Sequence, residues 1–306
     1  MSDPSPQRDE PVGILYAGGT YVLWGVVPLY WQLFGTISPF EVTVHRVVWS
    51  AALLTAVMAA RGRLLHMARL LRDRRLLAML ALTSVLISAN WTIYIYCVAT
   101  HQLVEASLGY YITPLVSIVL GVAMFGERIS RARLAAIALA VVAVAAKTLE
   151  LGHIPWIAPG LALSFGFYGY FRKLAPVPAM EGLTIETWIL FPLTFGLVAY
   201  WWIEGTGTFP AANLRTDLLL MSTGPVTAIP LTLFAAGVRR IRMTTLGFLQ
   251  YLSPSITLFI AVTMLDESFT RVDAVTFGCV WAALALVAVE GQFNRRVAQI
   301  PAVPPE

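Results

Sequence analysis

The sequence predicts an all-α membrane protein of ten transmembrane helices, arranged as an inverted 5+5 repeat with both termini in the cytoplasm. Three observations predict it: an apolar, sparsely charged composition, ten helix-length apolar stretches, and a self-match between the two halves. Charged residues make up 12% of the 306 residues and hydrophobic ones 58%, with a mean hydropathy of +0.73. Soluble proteins carry about 25% charged residues, so a water-soluble globule is excluded.

The predicted spans are 11–34, 41–60, 76–99, 105–125, 134–150, 156–174, 182–203, 216–236, 244–265 and 273–291. Each falls near the roughly 17 to 25 residues that cross a hydrocarbon core of about 30 Å. Residues 1–10 and 292–306 are left as polar tails, and the first of these lacks the basic start of a secretory signal. Cys97 and Cys279 both lie in apolar runs, which supports neither a disulfide framework nor a cysteine metal site. The basic balance, pI about 9.2, does not point to nucleic acid, because its charges sit in short connections between apolar segments.

Those charges orient the chain. The connection Arg61 to Arg75 carries six arginines, whereas 35–40 and 100–104 carry none. Seventeen Lys and Arg fall on the side of that connection and three, Lys147, Arg215 and Arg271, on the other, with Arg46 inside the second span. The positive-inside rule then puts both termini in the cytoplasm, as an even number of spans requires. The expected location is the inner membrane of a bacterium, in multi-pass form.

The second half repeats the first. An offset of 140 residues aligns Tyr111, Pro114, Val122, Met124, Glu127 and Arg131 with Tyr251, Pro254, Val262, Met264, Glu267 and Arg271 without a gap. Weaker echoes align Tyr21, Trp24 and Gly25 with Phe165, Tyr168 and Gly169 at offset 144, and Glu41 with Glu186 at offset 145. The expected units are 11–150 and 156–291, joined through 151–155, with five spans each. Because five is odd, the second unit enters the membrane inverted. Inverted repeats are a recurrent design of secondary transporters, with substrate held near the midplane between them.

Several motifs carry a family resemblance. They are His45-Arg46 followed by Val47-Val48-Trp49-Ser50, Asn90-Trp91, Glu105-Ala106-Ser107-Leu108-Gly109-Tyr110-Tyr111, Gly126-Glu127-Arg128, and Leu246-Gly247-Phe248-Leu249-Gln250-Tyr251. With these, over residues 11–291, the chain resembles the EamA branch of the drug/metabolite transporter superfamily and, within it, the RarD-like members. The resemblance implies a ten-helix basket with a central cavity that exports or exchanges small metabolites or drugs, so 11–150 and 156–291 read as two EamA-like repeats. The chain departs from the pattern at Thr113, where asparagine is expected, and at Asp266, where glycine is expected.

Candidate site residues follow from the residues themselves. Gly109 with Pro114, and Gly247 with Pro254, interrupt corresponding spans, and paired interruptions of this kind mark transporter sites or hinges, though either is also an ordinary packing kink. Glu41 and His45 share one helical face, and Arg46, about 100° away, is either an anion-binding group or the partner of an acidic neighbour. Asn90 either meets substrate or joins helices, with Trp91 beside it. Tyr110, Tyr111, Thr113, Gln250 and Tyr251 suit an amphipathic pocket. Glu105 and Glu186 are candidate proton-coupling carboxylates if buried, and helix-dipole partners if wet. Glu127 and Glu267 read as loop caps or partners of Arg131 and Arg271.

No Walker-type glycine loop is present, so the energy for movement comes from protons or a counter-solute rather than ATP. The expected partners are the bilayer and a small-molecule substrate, with no cofactor, metal or nucleic acid. A passive channel is the second reading. An intramembrane enzyme is the third, and His45, His66, His101 and His153 are too scattered to form the metal or acid–base constellation it needs.

Overall fold

The computed structural model describes residues 6–99, 103–127, 129–151, 157–210 and 213–264, with scattered positions between 271 and 289. Every regular element among the described residues is helical. In chain order these are α1 (Pro6–Trp31, continued by a 3₁₀ turn, Gln32–Phe34), α2 (Pro39–Ala60), α3 (Leu64–Leu70) and α4 (Arg74–Ala99). Then come α5 (Leu103–Phe125), α6 (Arg131–Leu151), α7 (Ile157–Leu174), α8 (Ala179–Glu204), α9 (Leu214–Val238), α10 (Met243–Gln250) and α11 (Leu252–Met264). Six stretches are long and apolar enough to span a membrane: Asp9–Phe34, Pro39–Ala60, Arg74–Tyr94, Ala179–Glu204, Leu214–Val238 and Met243–Met264. A shorter apolar helix, Gly109–Phe125, lies in α5, while α6 and α7 occupy two further predicted spans. Of the tenth predicted span, 273–291, ten of the nineteen residues are described, and those are helical.

Local chemistry explains the ends. Pro39 opens α2, where its missing N–H costs nothing, and Asn213 caps α9 by accepting from the backbone N–H of Thr216 at 2.9 Å. Gly62 after α2 and Gly205 after α8 take positive φ, +64° in each case, the left-handed turn that releases the last carbonyls. Two departures from prediction have clear causes. The span expected at 244–265 is broken at Tyr251, because Pro254 supplies no N–H and its ring clashes with the carbonyl of Gln250. The basic connection contains α3, which is held by Met67, fully buried against Met58, Leu76, Leu80 and Ile185.

The two sequence halves interdigitate. The main packing pairs are α5 with α7, α9 with α1 and α2, α2 with α8, α4 with α7, α5 with α10, and α1 with α11. Each joins one half to the other. In lipid, close backbone approach replaces water-driven burial as the source of helix adhesion. Gly224 on α9 provides such an approach, since a Cβ there would sit 2.7 Å from the carbonyl carbon and oxygen of Trp49 on α2.

Candidate functional site

Among five of the helices lies a cavity of about 20 Å³, room for about one water. Its walls come from α2 (Arg46, Val47, Ser50), α4 (Ile87, Trp91), α7 (Tyr168), α8 (Leu183, Glu186, Thr187, Leu190) and α9 (Thr227, Ala228, Leu231). At the 140-residue offset, Arg46 corresponds to Glu186, Val47 to Thr187, Ser50 to Leu190, Ile87 to Thr227 and Trp91 to Leu231. At the same offset Glu41 falls on Glu181, whereas the weaker echo at offset 145 sets it against Glu186.

Arg46 enters the cavity from α2. Its guanidinium stands between two indoles, with Cζ 4.9 Å from the ring centre of Trp31 and 4.7 Å from that of Trp91, both within cation–π range. Its Nε donates to the Thr227 hydroxyl at 3.0 Å. Glu186 enters from α8 in a different setting. Its Oε1 accepts from the Thr83 hydroxyl at 2.5 Å and lies 3.6 Å from Nη1 of Arg172, while its Oε2 accepts from the Tyr168 hydroxyl at 3.4 Å. Arg172 is fully buried and donates through Nη2 to the Ala179 carbonyl at 2.9 Å, leaving Nε and Nη1 without hydrogen bonds. Such an arrangement is tolerable only with the carboxylate beside it.

Two carboxylates, Glu41 and Glu181, tie loops at opposite ends of the α2–α8 pair. Glu41, in the first turn of α2, accepts from the backbone N–H of Thr208 at 2.5 Å and from its hydroxyl at 2.9 Å, holding the α8–α9 connection. Glu181, in the first turn of α8, pairs with Arg63 on the α2–α3 connection. Each second helix thus clasps the loop that follows its counterpart. His45 belongs to the first closure rather than to the cavity wall: its Nδ1 accepts from the Trp49 indole at 3.2 Å, and its ring lies 5.4 Å from that of Phe209.

Other predicted residues build the frame. Asn90 donates to the Leu161 carbonyl and the Ser164 hydroxyl, both at 3.0 Å, so it joins α4 to α7. Thr20 on α1 makes the corresponding link, donating to the Pro230 carbonyl on α9 at 3.2 Å. Gly109 lets α5 approach the Ala158 carbonyl on α7, and Gly247 lets α10 approach the Pro114 carbonyl on α5. Thr113 donates back to the Gly109 carbonyl at 2.8 Å, and Gln250 accepts from Ser117 at 2.9 Å. The Tyr251 hydroxyl donates to the Tyr111 carbonyl at 3.3 Å, a contact between two corresponding residues. Tyr110 is exposed, and Pro254 lies at the start of α11. Glu127 caps α10 by accepting from Met243 and Thr244 at 2.8 and 3.0 Å. The side chain of Glu105 and all of Glu267 lie outside the described residues. Among the described residues, no cluster of His, Cys, Asp or Glu could hold a metal.

Sequence reasoning missed Trp31, Thr83, Arg172, Glu181 and Thr227. Arg172 looked like a loop charge beside Lys173. Glu181 was hidden by the preference for Glu186, although the 140-residue offset from Glu41 points straight to it.

The EamA-like transporter family matches residues 11–148. Protein RarD of Streptomyces exfoliatus is 40% identical over 92% of this chain and 89% of its own length. Protein RarD of Salmonella typhimurium is 38% identical over 93% and 97%, and an uncharacterized transporter of Vibrio cholerae is 37% identical over 93% and 94%. A solved crystal structure, 19% identical, matches with a TM-score of 0.70 over 92% of this chain and 99% of its own, a likeness of fold. On this ground the multi-pass helical chain is a membrane transporter and belongs to the EamA branch of the drug/metabolite transporter superfamily, among its RarD-like members.

Proposed function

We propose that the protein is a secondary-active carrier of the bacterial inner membrane that exports or exchanges small metabolites or drugs. It works by alternating access to the cavity between two inverted five-helix units, 11–150 and 156–291, with both termini cytoplasmic. The observation that supports this reading is the cavity itself, lined by α2 and α4 from the first half and α7, α8 and α9 from the second, with Glu41 and Glu181 tying loops at opposite ends of the α2–α8 pair. A carrier needs one end to part while the other holds, and the two closures are separate contacts that can break independently. Arg46, Trp91 and Glu186 form the binding chamber. Glu41 and His45 close one end, and the Gly109/Pro114 and Gly247/Pro254 pairs let α5 and α10 cross closely enough to pivot.

Glu186 is the coupling group in this reading, because it faces both the cavity and Arg172 and can exchange one partner for a proton or a charged solute. Purified protein in liposomes should give saturable uptake of a solute pool and accelerated uptake when the same pool is preloaded inside. Linear flux without counterflow would identify a channel instead. In the protein that folds, Glu186→Gln should lower uptake driven by an imposed pH gradient more than it lowers counterflow.

A further inference from the structure

Arg46 is a cation on the cavity wall. Its guanidinium carbon lies 4.9 and 4.7 Å from the ring centres of Trp31 and Trp91, and its Nε is taken by Thr227. Among the described residues, no carboxylate pairs with it: the ion pairs there are Arg63 with Glu181 and Arg172 with Glu186. Nη1 and Nη2 of Arg46 donate to none of the described residues, and neither is among the sealed, unpartnered atoms of the interior, so both keep accessible surface for a ligand. With Nε on Thr227, Nη1 and Nη2 are the donors left for a ligand, and a guanidinium fork matches a carboxylate with two parallel hydrogen bonds.

The charge balance points the same way. Glu186, the other charged residue on the cavity wall, is already matched by Arg172 and held by Thr83 and Tyr168. The described chamber therefore carries one uncompensated positive charge. The rest of its wall is mostly apolar, including Val47, Ile87, Leu183, Leu190 and Leu231. Such a wall suits the hydrocarbon part of a ligand and gives a small inorganic anion nothing to bind.

We propose that the transported substrate is an organic monoanion, its carboxylate held edge-on by Arg46 between Trp31 and Trp91 and its apolar body lying along α8 and α9. This rests on the carrier reading above and names its substrate class. The cavity of about 20 Å³ is the contracted form, so entry of such a molecule requires one end to part.

The test uses the full-length protein in detergent, with tryptophan fluorescence as the signal, since two indoles flank the binding group. Benzoate, phenylacetate and indole-3-acetate are titrated against their amides and against sodium phosphate. At least one carboxylate should give a saturable change, with its amide binding about tenfold or more weaker, the loss expected for a charged hydrogen-bonded pair. Arg46→Gln should show a similar loss, and Arg46→Lys a smaller one. Equal binding of acid and amide, preference for phosphate, full binding by Arg46→Gln, or no binding of any carboxylate by the wild type overturns the proposal. The acid–amide comparison needs no variant and stands even where a substitution unfolds the protein. Flux assays in liposomes separate the two readings: transport of neutral solutes without carboxylate binding overturns the substrate class and leaves the carrier. Carboxylate binding without any flux does the reverse.

Discussion

The ion pair between Arg172 and Glu186 gives the strongest quantitative test of how this interior is held. Arg172 is fully buried, and Glu186, 3.6 Å away, is its acidic partner among the described residues. Glu186→Gln leaves that cation unmatched, and Arg172→Met leaves the Glu186 anion with only the hydroxyls of Thr83 and Tyr168. Removing one member of a buried pair costs about 3–5 kcal/mol, roughly two to three and a half decades in the folding equilibrium at about 1.4 kcal/mol per decade. The double variant should behave differently. Glutamine keeps an oxygen for one of the two hydroxyls and offers its NH2 as a donor to the other, methionine fills much of the arginine volume, and no charge remains, so the double should lie within about 2 kcal/mol of the wild type. The measurement is unfolding in mixed detergent–SDS micelles, followed by tryptophan fluorescence for all four proteins. Losses that simply add, to within about 0.5 kcal/mol, would show the two side chains to be uncoupled and refute the reasoning.

Three further outcomes follow from geometry. Gly224→Ala puts a Cβ 2.7 Å from the Trp49 backbone and should lower stability by about 1–3 kcal/mol in the same assay, whereas Gly196→Ala, which meets nothing within 4 Å, should leave it unchanged. Glu127→Ala removes the acceptor for the first N–H groups of α10 and should cost about 0.5–2 kcal/mol, with Glu127→Gln recovering part of it. In a background lacking Cys97 and Cys279, with Thr187→Cys on the cavity wall as reporter, Glu181→Gln should raise labelling by an impermeant thiol reagent from the side of Arg63. Glu41→Gln should raise it from the opposite side, and identical sidedness for both variants would sink the two-closure reading.

Hydropathy made the helices legible because a membrane span announces itself by length and composition alone. The break at Tyr251 could also be read, from Pro254 and the carbonyl four residues before it. Pairings were harder. Asn90 offered two readings from sequence, and only the position of Ser164 on α7 selects the interhelical bond. Arg172 was misleading because charge near a span end usually snorkels to water, and what keeps it inside is Gly182, whose missing Cβ leaves space for the guanidinium. Arg46 stands out in the sequence as a charge inside a span, yet its lack of an acidic partner among the described residues depends on how α2, α4 and α9 converge, which no local pattern records.

The exchange of charge between Arg46 and its counterpart Glu186 also bears on energetics. Under the duplication read from the sequence, two matching halves would give inward-facing and outward-facing forms of equal free energy, since inversion would turn one into the other. Here one end is held by an ion pair and the other by a carboxylate on a threonine, and the chamber is cationic on one side and neutralised on the other. In the proposed carrier the two forms would therefore be unequal, and a difference of only about 1.4 kcal/mol would set a tenfold resting preference for one side of the membrane.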